Sequence, residues 1–211
     1  MSLYQRLLGI PFVYDRVRPF VVGGIDMSPL FRNLQAEPND VILDVGCGTG
    51  MALDYLDGFA AYHGFDTDPV AIKFATRQKG GRDRVQFQQR IVTAEDIASL
   101  RPNRVILSGL LHHLSDDQAG ALLRACAQVS SVRRIATSDV VYLPGEHVSN
   151  FLAWMDRGQH VRHPPGYREL AAGAGLRIVS DQIVRSHPTN GKALYIMMAL
   201  EPRDPNTGPA A

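Results

Sequence analysis

Short apolar runs alternate with stretches in which apolar residues recur at helical spacing, and this alternation continues to about residue 142. Runs such as VILDV (residues 41–45) and VILS (residues 105–108) contain few or no polar positions. Continuous apolar runs are typical of strands buried on both faces, as in parallel sheets covered by helices. The alternation therefore predicts an α/β fold with a mostly parallel sheet and helices on both faces.

Seven segments read as strands, and the last two (residues 176–185 and 192–200) are expected to run antiparallel. Helices are predicted between them at residues 49–58, 68–81, 115–129, 146–157 and 164–174. Asp68 and Pro69 have the residue types of an N-cap and a first turn, and Ser115 or Asp116 caps the next helix. The expected fold is thus a doubly wound, mostly parallel seven-stranded sheet with an antiparallel strand near the C-terminus.

The chain divides into three parts on the same pattern. Residues 1–39 precede the first strand and are expected to form a helical segment over the strand ends, while residues 40–200 form the main domain. A late insert at residues 143–174 interrupts that domain, and the Pro- and Gly-rich residues 201–211 are expected to be a disordered tail. In a sheet of this kind the ligand binds beyond the carboxyl ends of the strands.

Composition narrows the possible partners. The chain has 211 residues and a formal net charge of +1, so we expect neither nucleic acid nor an anionic membrane as a partner. Cys47 and Cys126 are the two cysteines, which gives no disulfide framework and no metal-ligand cluster, and we expect no metal. Sparse cysteine favours a cytoplasmic location, and charges interrupt the apolar N-terminal stretch, which therefore predicts neither a signal peptide nor a membrane anchor.

The stretch VILDVGCGTG (residues 41–50) carries the strongest indication of function. Its glycines follow the pattern G-x-G-x-G, whereas a dinucleotide fingerprint is G-x-G-x-x-G and a P-loop requires Gly-Lys-Ser/Thr. Asp44 would repel a pyrophosphate near this turn and would attract an ammonium group. Gly46 and Gly48 permit close approach of a ligand, and the amides that open the next helix suit a carboxylate.

This stretch resembles the first motif of the class I SAM-dependent methyltransferases, whose cofactor S-adenosylmethionine (SAM) carries an ammonium, a carboxylate and a ribose. The resemblance implies a Rossmann-like fold, SAM as cofactor, and cofactor contacts from Asp44, Gly46, Cys47 and Gly48. It extends over about residues 40–135. A generic nucleotide-binding turn is the alternative interpretation of the glycines.

Two further stretches match positions at which the family contacts its cofactor. In GFDTDP (residues 64–69), Asp66 ends the second strand and is expected to reach the ribose hydroxyls, with Thr67 beside it. In IVTAEDIASL (residues 91–100), Thr93 or Glu95 is expected to accept from the adenine amine, and Ala94 offers its backbone amide. The family often has Asp where this chain has Thr93, and these residues are equally typical of a helix start.

The stretch VILSGLLHHLSDDQ (residues 105–118) resembles the motif that follows the fourth strand in the family. The resemblance places Ser108 beside the methionine part of SAM, and His112 and His113 near the transferred methyl group. An imidazole is a suitable general base at neutral pH, so the two histidines are the catalytic candidates. The alternative is that this pair belongs to the common scaffold of the family, whatever the acceptor.

These observations together predict a SAM-dependent methyltransferase that acts on a small molecule, with O-methylation by in-line transfer as the expected reaction. Three other functions remain: a non-catalytic SAM-binding module, an RNA or protein methyltransferase, and a nicotinamide oxidoreductase. The near-neutral charge disfavours RNA, and Asp44 with Met51 in place of a third glycine disfavours a nicotinamide cofactor. The sequence specifies neither the acceptor nor the oligomeric state.

Overall fold

A computed structural model describes residues 26–156 and 158–203 of the chain. Within them a seven-stranded sheet has the order β3-β2-β1-β4-β5-β7-β6. The first five strands are parallel, and β7 runs antiparallel to both β5 and β6. The strands are β1 (Val41–Val45), β2 (Ala61–Asp66), β3 (Val85–Gln89), β4 (Arg104–Ser108), β5 (Arg134–Val140), β6 (Leu176–Arg185) and β7 (Leu194–Pro202). The predicted fold class is confirmed.

Helices cover both faces of this sheet. They are α1 (Ser28–Leu34), α2 (Pro69–Lys79), α3 (Ala94–Leu100), α4 (Asp116–Ala127), α5 (His147–Met155) and α6 (Pro164–Gly173), with 3₁₀ turns at Met51–Asp54 and Leu111–His113. Apolar residues of α3, α4 and α6 pack in one core with Leu43 and Val105. Residues of α1 pack in a second core with Ile42 and Ile106. Neighbouring strand residues thus face opposite sides, as the alternation of side chains in a strand requires.

The centre of the sheet positions the candidate site. β1 pairs with β2 on one side and with β4 on the other, so the direction of winding reverses between β1 and β4. The loops that leave their carboxyl ends diverge and create a crevice between them. The G-x-G-x-G turn follows β1 and the histidine pair follows β4, which places both motifs at this crevice.

Three local expectations differ from the structure. Residues 49–58 form only the 3₁₀ turn Met51–Asp54 rather than a helix, because a segment this short before Gly58 supports little more than one turn. α1 packs on a face of the sheet through the fully buried Leu30 and Leu34, rather than over the strand ends. β7 continues to Pro202, so the strand occupies the first two residues of the expected tail.

The other expectations for the termini concern residues 1–25 and 204–211, which lie outside the described part of the chain. Among the residues that are described, no helix has the length and apolar character needed to cross a bilayer.

Candidate active site at the carboxyl ends of the parallel strands

The glycine turn after β1 exposes its backbone to the crevice. Gly46, Gly48 and Gly50 all have positive φ, at 73°, 52° and 73°, a region that glycine enters without strain. The amides of Gly46 and Cys47 donate to the carbonyl oxygen of Phe65 at 2.8 and 3.0 Å, which fixes the turn against β2. A Cβ added to Gly48 would have no atom within 4 Å. The backbone at Gly48 therefore borders open space in which a ligand can lie.

Asp44 is a buried acid at the penultimate position of β1, two residues before this turn. Only 3% of the Asp44 surface is exposed, and Tyr62 Oη donates to Asp44 Oδ2 at 2.5 Å. Burial raises the pKa of Asp44 to about 7, and the nearby Asp66 adds to the rise, although the Tyr62 hydrogen bond acts against it. A cation placed beside Asp44 would favour its charged form, so the residue is suited to bind an ammonium group.

Asp66 connects the glycine turn to the end of β2. Its Oδ2 accepts from the amide of Gly48 and its Oδ1 accepts from the amide of Asp68, both at 2.8 Å. Thr67 follows at an exposed bend. Asp68 caps α2 by accepting from the amides of Val70 and Ala71, as its sequence predicted. Asp66 therefore lies at the crevice, and each of its oxygens keeps a second lone pair for a ligand.

Thr93 is the N-cap of α3. Its hydroxyl accepts from the amide of Asp96 at 3.2 Å, and the Asp96 carboxylate accepts from the Thr93 amide at 2.8 Å, which completes a capping box. Glu95 is exposed, and Ala94 opens the helix, where amides lack an intrahelical acceptor. Ile91, just after β3, is 74% exposed. The capping box already engages the Thr93 hydroxyl, which leaves Glu95 and the Ala94 amide as the polar groups suited to a ligand.

The two histidines after β4 lie in different environments. His112 is fully buried, its Nδ1 lies 2.7 Å from Asp139 Oδ1, and its Nε2 lies 3.2 Å from Asp156 Oδ1. Burial alone would lower the pKa of His112, but the hydrogen bonds to the two carboxylates outweigh it and raise the pKa. His113 is exposed, and its ring packs 4.2 Å from the ring of His112. The Leu111–His113 turn therefore holds one histidine inside the fold and presents the other at the surface.

The segment after α5 covers the buried histidine. The amide of His160 donates to the carbonyl oxygen of His112 at 2.9 Å. A Cβ added to Gly158 would lie 2.1 Å from Cδ2 of His112, so only a glycine fits against the ring. Arg162 donates to the carbonyl oxygens of Leu111 and Leu114 at 2.7 Å each. The late insert is thus attached to the loop that follows β4.

Comparison with known proteins agrees with the geometry. A sequence model of a methyltransferase domain matches residues 42–131. That range contains the glycine turn, Asp66, the start of α3 and both histidines. Over these residues, somewhat less than half of the chain, the sequence is similar to a methyltransferase domain. Proteins that share the fold of the chain have been solved with SAM or S-adenosylhomocysteine bound.

Solved methyltransferase structures share the fold of this domain. A SAM-dependent methyltransferase from Methanosarcina mazei superimposes with a TM-score of 0.63 at 14% identity, over 84% of this chain and 99% of that one. A second similar structure is a chain from the complex of the Haloferax volcanii Trm112 methyltransferase activator with a methyltransferase. It superimposes with a TM-score of 0.68 at 14% identity, over 97% of this chain and 96% of that one.

Human N-acetylserotonin methyltransferase in complex with SAM gives a TM-score of 0.65 at 17% identity, over 94% of this chain and 57% of that one. At 14–17% sequence identity, the similarity of the chain to these three structures shows a shared fold. No match was found among curated protein sequences.

Three residues that organise this site were not predicted from the sequence: Tyr62, Asp139 and Asp156. One of them had a recognisable pattern. Asp139 is an acid in the penultimate position of a buried parallel strand, as Asp44 is in β1. An acid at such a position is costly to bury and therefore indicates a nearby partner or ligand.

Proposed function

We propose that this methyltransferase transfers the methyl group of SAM to a hydroxyl oxygen of a small molecule. The single observation that carries the proposal is Asp44, a nearly fully buried carboxylate four residues before Gly48, whose backbone borders open space. This arrangement suits a ligand with a cationic amine and does not suit a pyrophosphate. It lies at the reversal between β1 and β4, where such sheets bind their ligands.

The cofactor contacts are assigned along the crevice in the order of the strands. Asp44 binds the ammonium group, and the backbone from Gly46 through Cys47 to Gly48 lies against the methionine part, with Ser108 on the β4 side. The second lone pairs of Asp66 accept from the ribose hydroxyls, beside Thr67. The adenine binds at the start of α3.

At that helix start, Glu95 and the Ala94 amide supply the polar contacts to adenine, while Thr93 shapes the turn through its capping box. The exposed Ile91 offers an apolar surface next to them. This assignment transfers the adenine contact from the Thr93 side chain, which the cap already uses, to its neighbours.

SAM supplies an activated methyl group on its sulfonium, so the protein has to position the acceptor and exclude water. Residues 143–174 are proposed to line the acceptor pocket, because their last part is attached to the loop after β4 through Arg162. His113 is the histidine that an acceptor can reach, since it is exposed. His112 is buried and is assigned a role in positioning His113, because the rings of the two histidines pack against each other.

A small acceptor is supported by two observations. The net charge of +1 gives no general attraction for a polyanion such as RNA. One protein of the same fold is by name a methyltransferase of N-acetylserotonin, a small molecule. A macromolecular acceptor is the second candidate, because another similar structure comes from a complex with the Trm112 methyltransferase activator.

Two measurements test the proposal. Calorimetry should show binding of SAM and S-adenosylhomocysteine but not NAD, and Asp44→Asn should weaken SAM binding at least about tenfold, whereas Asp68→Asn, on the adjacent helix cap, should not. Methyl-labelled SAM is then incubated with the protein and separated small-molecule, RNA and protein fractions of a cell extract.

Label in an alkali-stable ether of a small molecule is the expected result. A preference for NAD would refute the cofactor assignment, and label confined to RNA or protein would refute the acceptor class. Binding of SAM without transfer to any fraction would favour a non-catalytic module.

A further inference from the structure

We propose that His112, His113 and Asp156 together bind one divalent transition-metal ion. One ligand atom from each residue lies within 4.8 Å of the other two. His112 Nε2 and Asp156 Oδ1 are 3.2 Å apart. Neighbouring ligands of an ion bound at about 2.0–2.2 Å lie about 3 Å from each other, so these two atoms already have the required separation.

A second carboxylate prepares His112 for this role. Asp139 Oδ1 lies 2.7 Å from His112 Nδ1 and also accepts from the His112 amide at 3.1 Å. A carboxylate behind a ligating histidine fixes its ring orientation and leaves the other nitrogen for the metal. Asp139 is itself nearly fully buried on β5, and its Oδ2 has no hydrogen-bond partner. Asp139 therefore holds the His112 ring from its buried side.

The donor set indicates the class of ion. Two imidazoles and one carboxylate suit zinc, cobalt, iron or manganese, whereas magnesium and calcium prefer oxygen ligands throughout. Three protein ligands leave coordination positions for another molecule. His113 is exposed, so the cluster extends from the buried His112 to the surface, where such a molecule can enter.

The cluster lies beside the crevice. A Cβ added to Gly109 would be 3.9 Å from Cε1 of His112, and one added to Gly46 would be 3.3 Å from Leu110. The loop after β4 thus lies against the glycine turn at Leu110 and, one residue earlier, against the ring of His112 at Gly109. The role of the ion rests on the proposed function: we infer that the bound ion coordinates the acceptor hydroxyl and lowers the pKa of that hydroxyl, and that the hydroxyl proton passes to water.

A simpler arrangement competes with this one. A protonated His112 between Asp139 and Asp156 would satisfy the same distances without a metal. The two arrangements differ in the role of His113, which the simpler arrangement does not require and the metal site does. The experiment therefore measures metal binding itself and compares His113 with a histidine outside the cluster.

Protein stripped with a chelator is titrated with Zn²⁺, Co²⁺ and Mg²⁺ by calorimetry, and its metal content is measured after dialysis. We expect one Zn²⁺ or Co²⁺ per chain and no comparable binding of Mg²⁺. His113→Ala and Asp156→Asn should each weaken Zn²⁺ binding at least about tenfold, and Asp139→Asn about tenfold to a hundredfold. His147 is an exposed histidine at the start of α5, so the His147→Ala variant should bind Zn²⁺ as tightly as the unmodified protein does.

Absence of stoichiometric Zn²⁺ or Co²⁺ binding, or equal binding by His113→Ala and the unmodified protein, would overturn the metal site. Because the readout is binding and requires no acceptor, this failure would leave the proposed methyl transfer standing. Conversely, metal binding without any methyl transfer would uphold the site and refute its proposed role. Circular dichroism of each variant confirms that losses of binding do not reflect unfolding.

Discussion

At the scale of single residues, the role proposed for Asp44 links cofactor binding to protonation. Burial raises the pKa of Asp44 to about 7, so much of the unliganded protein holds this carboxyl protonated at neutral pH. The proposed ammonium partner would favour the charged carboxylate and lower its pKa. Binding of SAM should then release a proton from Asp44, and the cost of that release grows as the pH falls.

The affinity for SAM is therefore expected to rise between pH 5.5 and pH 7, by up to about tenfold per unit at the acid end. Asp44→Asn cannot ionise and should show weak affinity that varies little with pH. Calorimetry in buffers of different ionisation enthalpy measures both the affinity and the released protons. The range stays below the pKa of an α-amino group, about 7.7–8.0, so the ammonium itself does not titrate. A flat profile in the unmodified protein would contradict the pairing.

The two neighbouring histidines are expected to respond differently to substitution. His112→Ala removes the partner of a buried carboxylate, Asp139, and should cost about 3–5 kcal/mol in the free energy of unfolding. His113→Ala alters an exposed side chain and should change the stability by less than about 0.5 kcal/mol. Denaturant titration measures both values.

Turnover provides the second comparison between these histidines. Once an acceptor is known, His113→Ala should lower the single-turnover rate at saturating SAM by about 10²-fold or more, with SAM affinity near normal. A loss below about fivefold would remove His113 from the residues that contact the acceptor.

Site residues that are close together in the sequence were predictable, whereas contacts between residues far apart in the sequence were not. Asp44, Gly46 and Gly48 lie within a few residues of one another, so their spacing alone is enough to predict an amine-binding turn. Asp139 and Asp156 reach His112 from 27 and 44 residues away, and only the pairing of β4 with β5 and the return of the chain after α5 bring them together. A local pattern marks Asp139 as a buried acid that needs a partner, but it does not identify His112 as that partner.

At the scale of elements, one arginine attaches the late insert to the loop after β4. Arg162 donates to the carbonyl oxygens of Leu111, Leu114 and His160, and its side chain is 9% exposed. Its ion pair with Asp116 contributes little, because the Asp116 side chain is 82% exposed. A planar guanidinium with several N–H donors can bond to all three of these carbonyl oxygens at once.

Arg162→Lys keeps the charge but cannot reach three carbonyl oxygens at once, so it should lower the free energy of unfolding by about 1–3 kcal/mol. Hydrogen exchange should accelerate at residues 111–115. The matched control is Arg168→Lys on α6, where an exposed arginine pairs with Asp181 and the expected change is below about 0.5 kcal/mol. Equal effects of the two substitutions would show that the insert is held by other contacts.

The elements themselves were largely predictable from the sequence, because each strand of the sheet combines apolar residues with clear turn residues at its ends. The exceptions have physical causes. Residues 49–58 have helical spacing, yet Gly50 at positive φ and Gly58 leave room for a single 3₁₀ turn. α1 packs not only on the nearby β1 but also on residues of β5 and β7, which follow much later in the chain, so its position could not be predicted from its own stretch of sequence.

At the scale of the whole molecule, the sheet continues well beyond the residues that match the methyltransferase-domain model. That match ends at residue 131, whereas β5, β6 and β7 all follow it. β7 lies between β5 and β6, and seven of its nine residues are buried. Its side chains enter both cores, with Ile196, Met198 and Leu200 on one face and Met197 on the other. The cofactor-binding half is therefore not expected to fold without the last two strands.

A chain that ends at Gly173 tests this dependence. It would lack Ile196, Met198 and Leu200, which are each at most 1% exposed. Truncating one such core side chain typically costs about 2–5 kcal/mol of the free energy of unfolding, which is about 5–15 kcal/mol in total for a typical domain. We expect it to show no cooperative thermal unfolding by circular dichroism and no SAM binding by calorimetry. A chain that ends at Arg203 keeps every described strand and serves as the control, which should unfold cooperatively and bind SAM as the full chain does. Cooperative unfolding and SAM binding by the shorter chain would mean that the five parallel strands form an independent unit, with β6 and β7 as an addition to it.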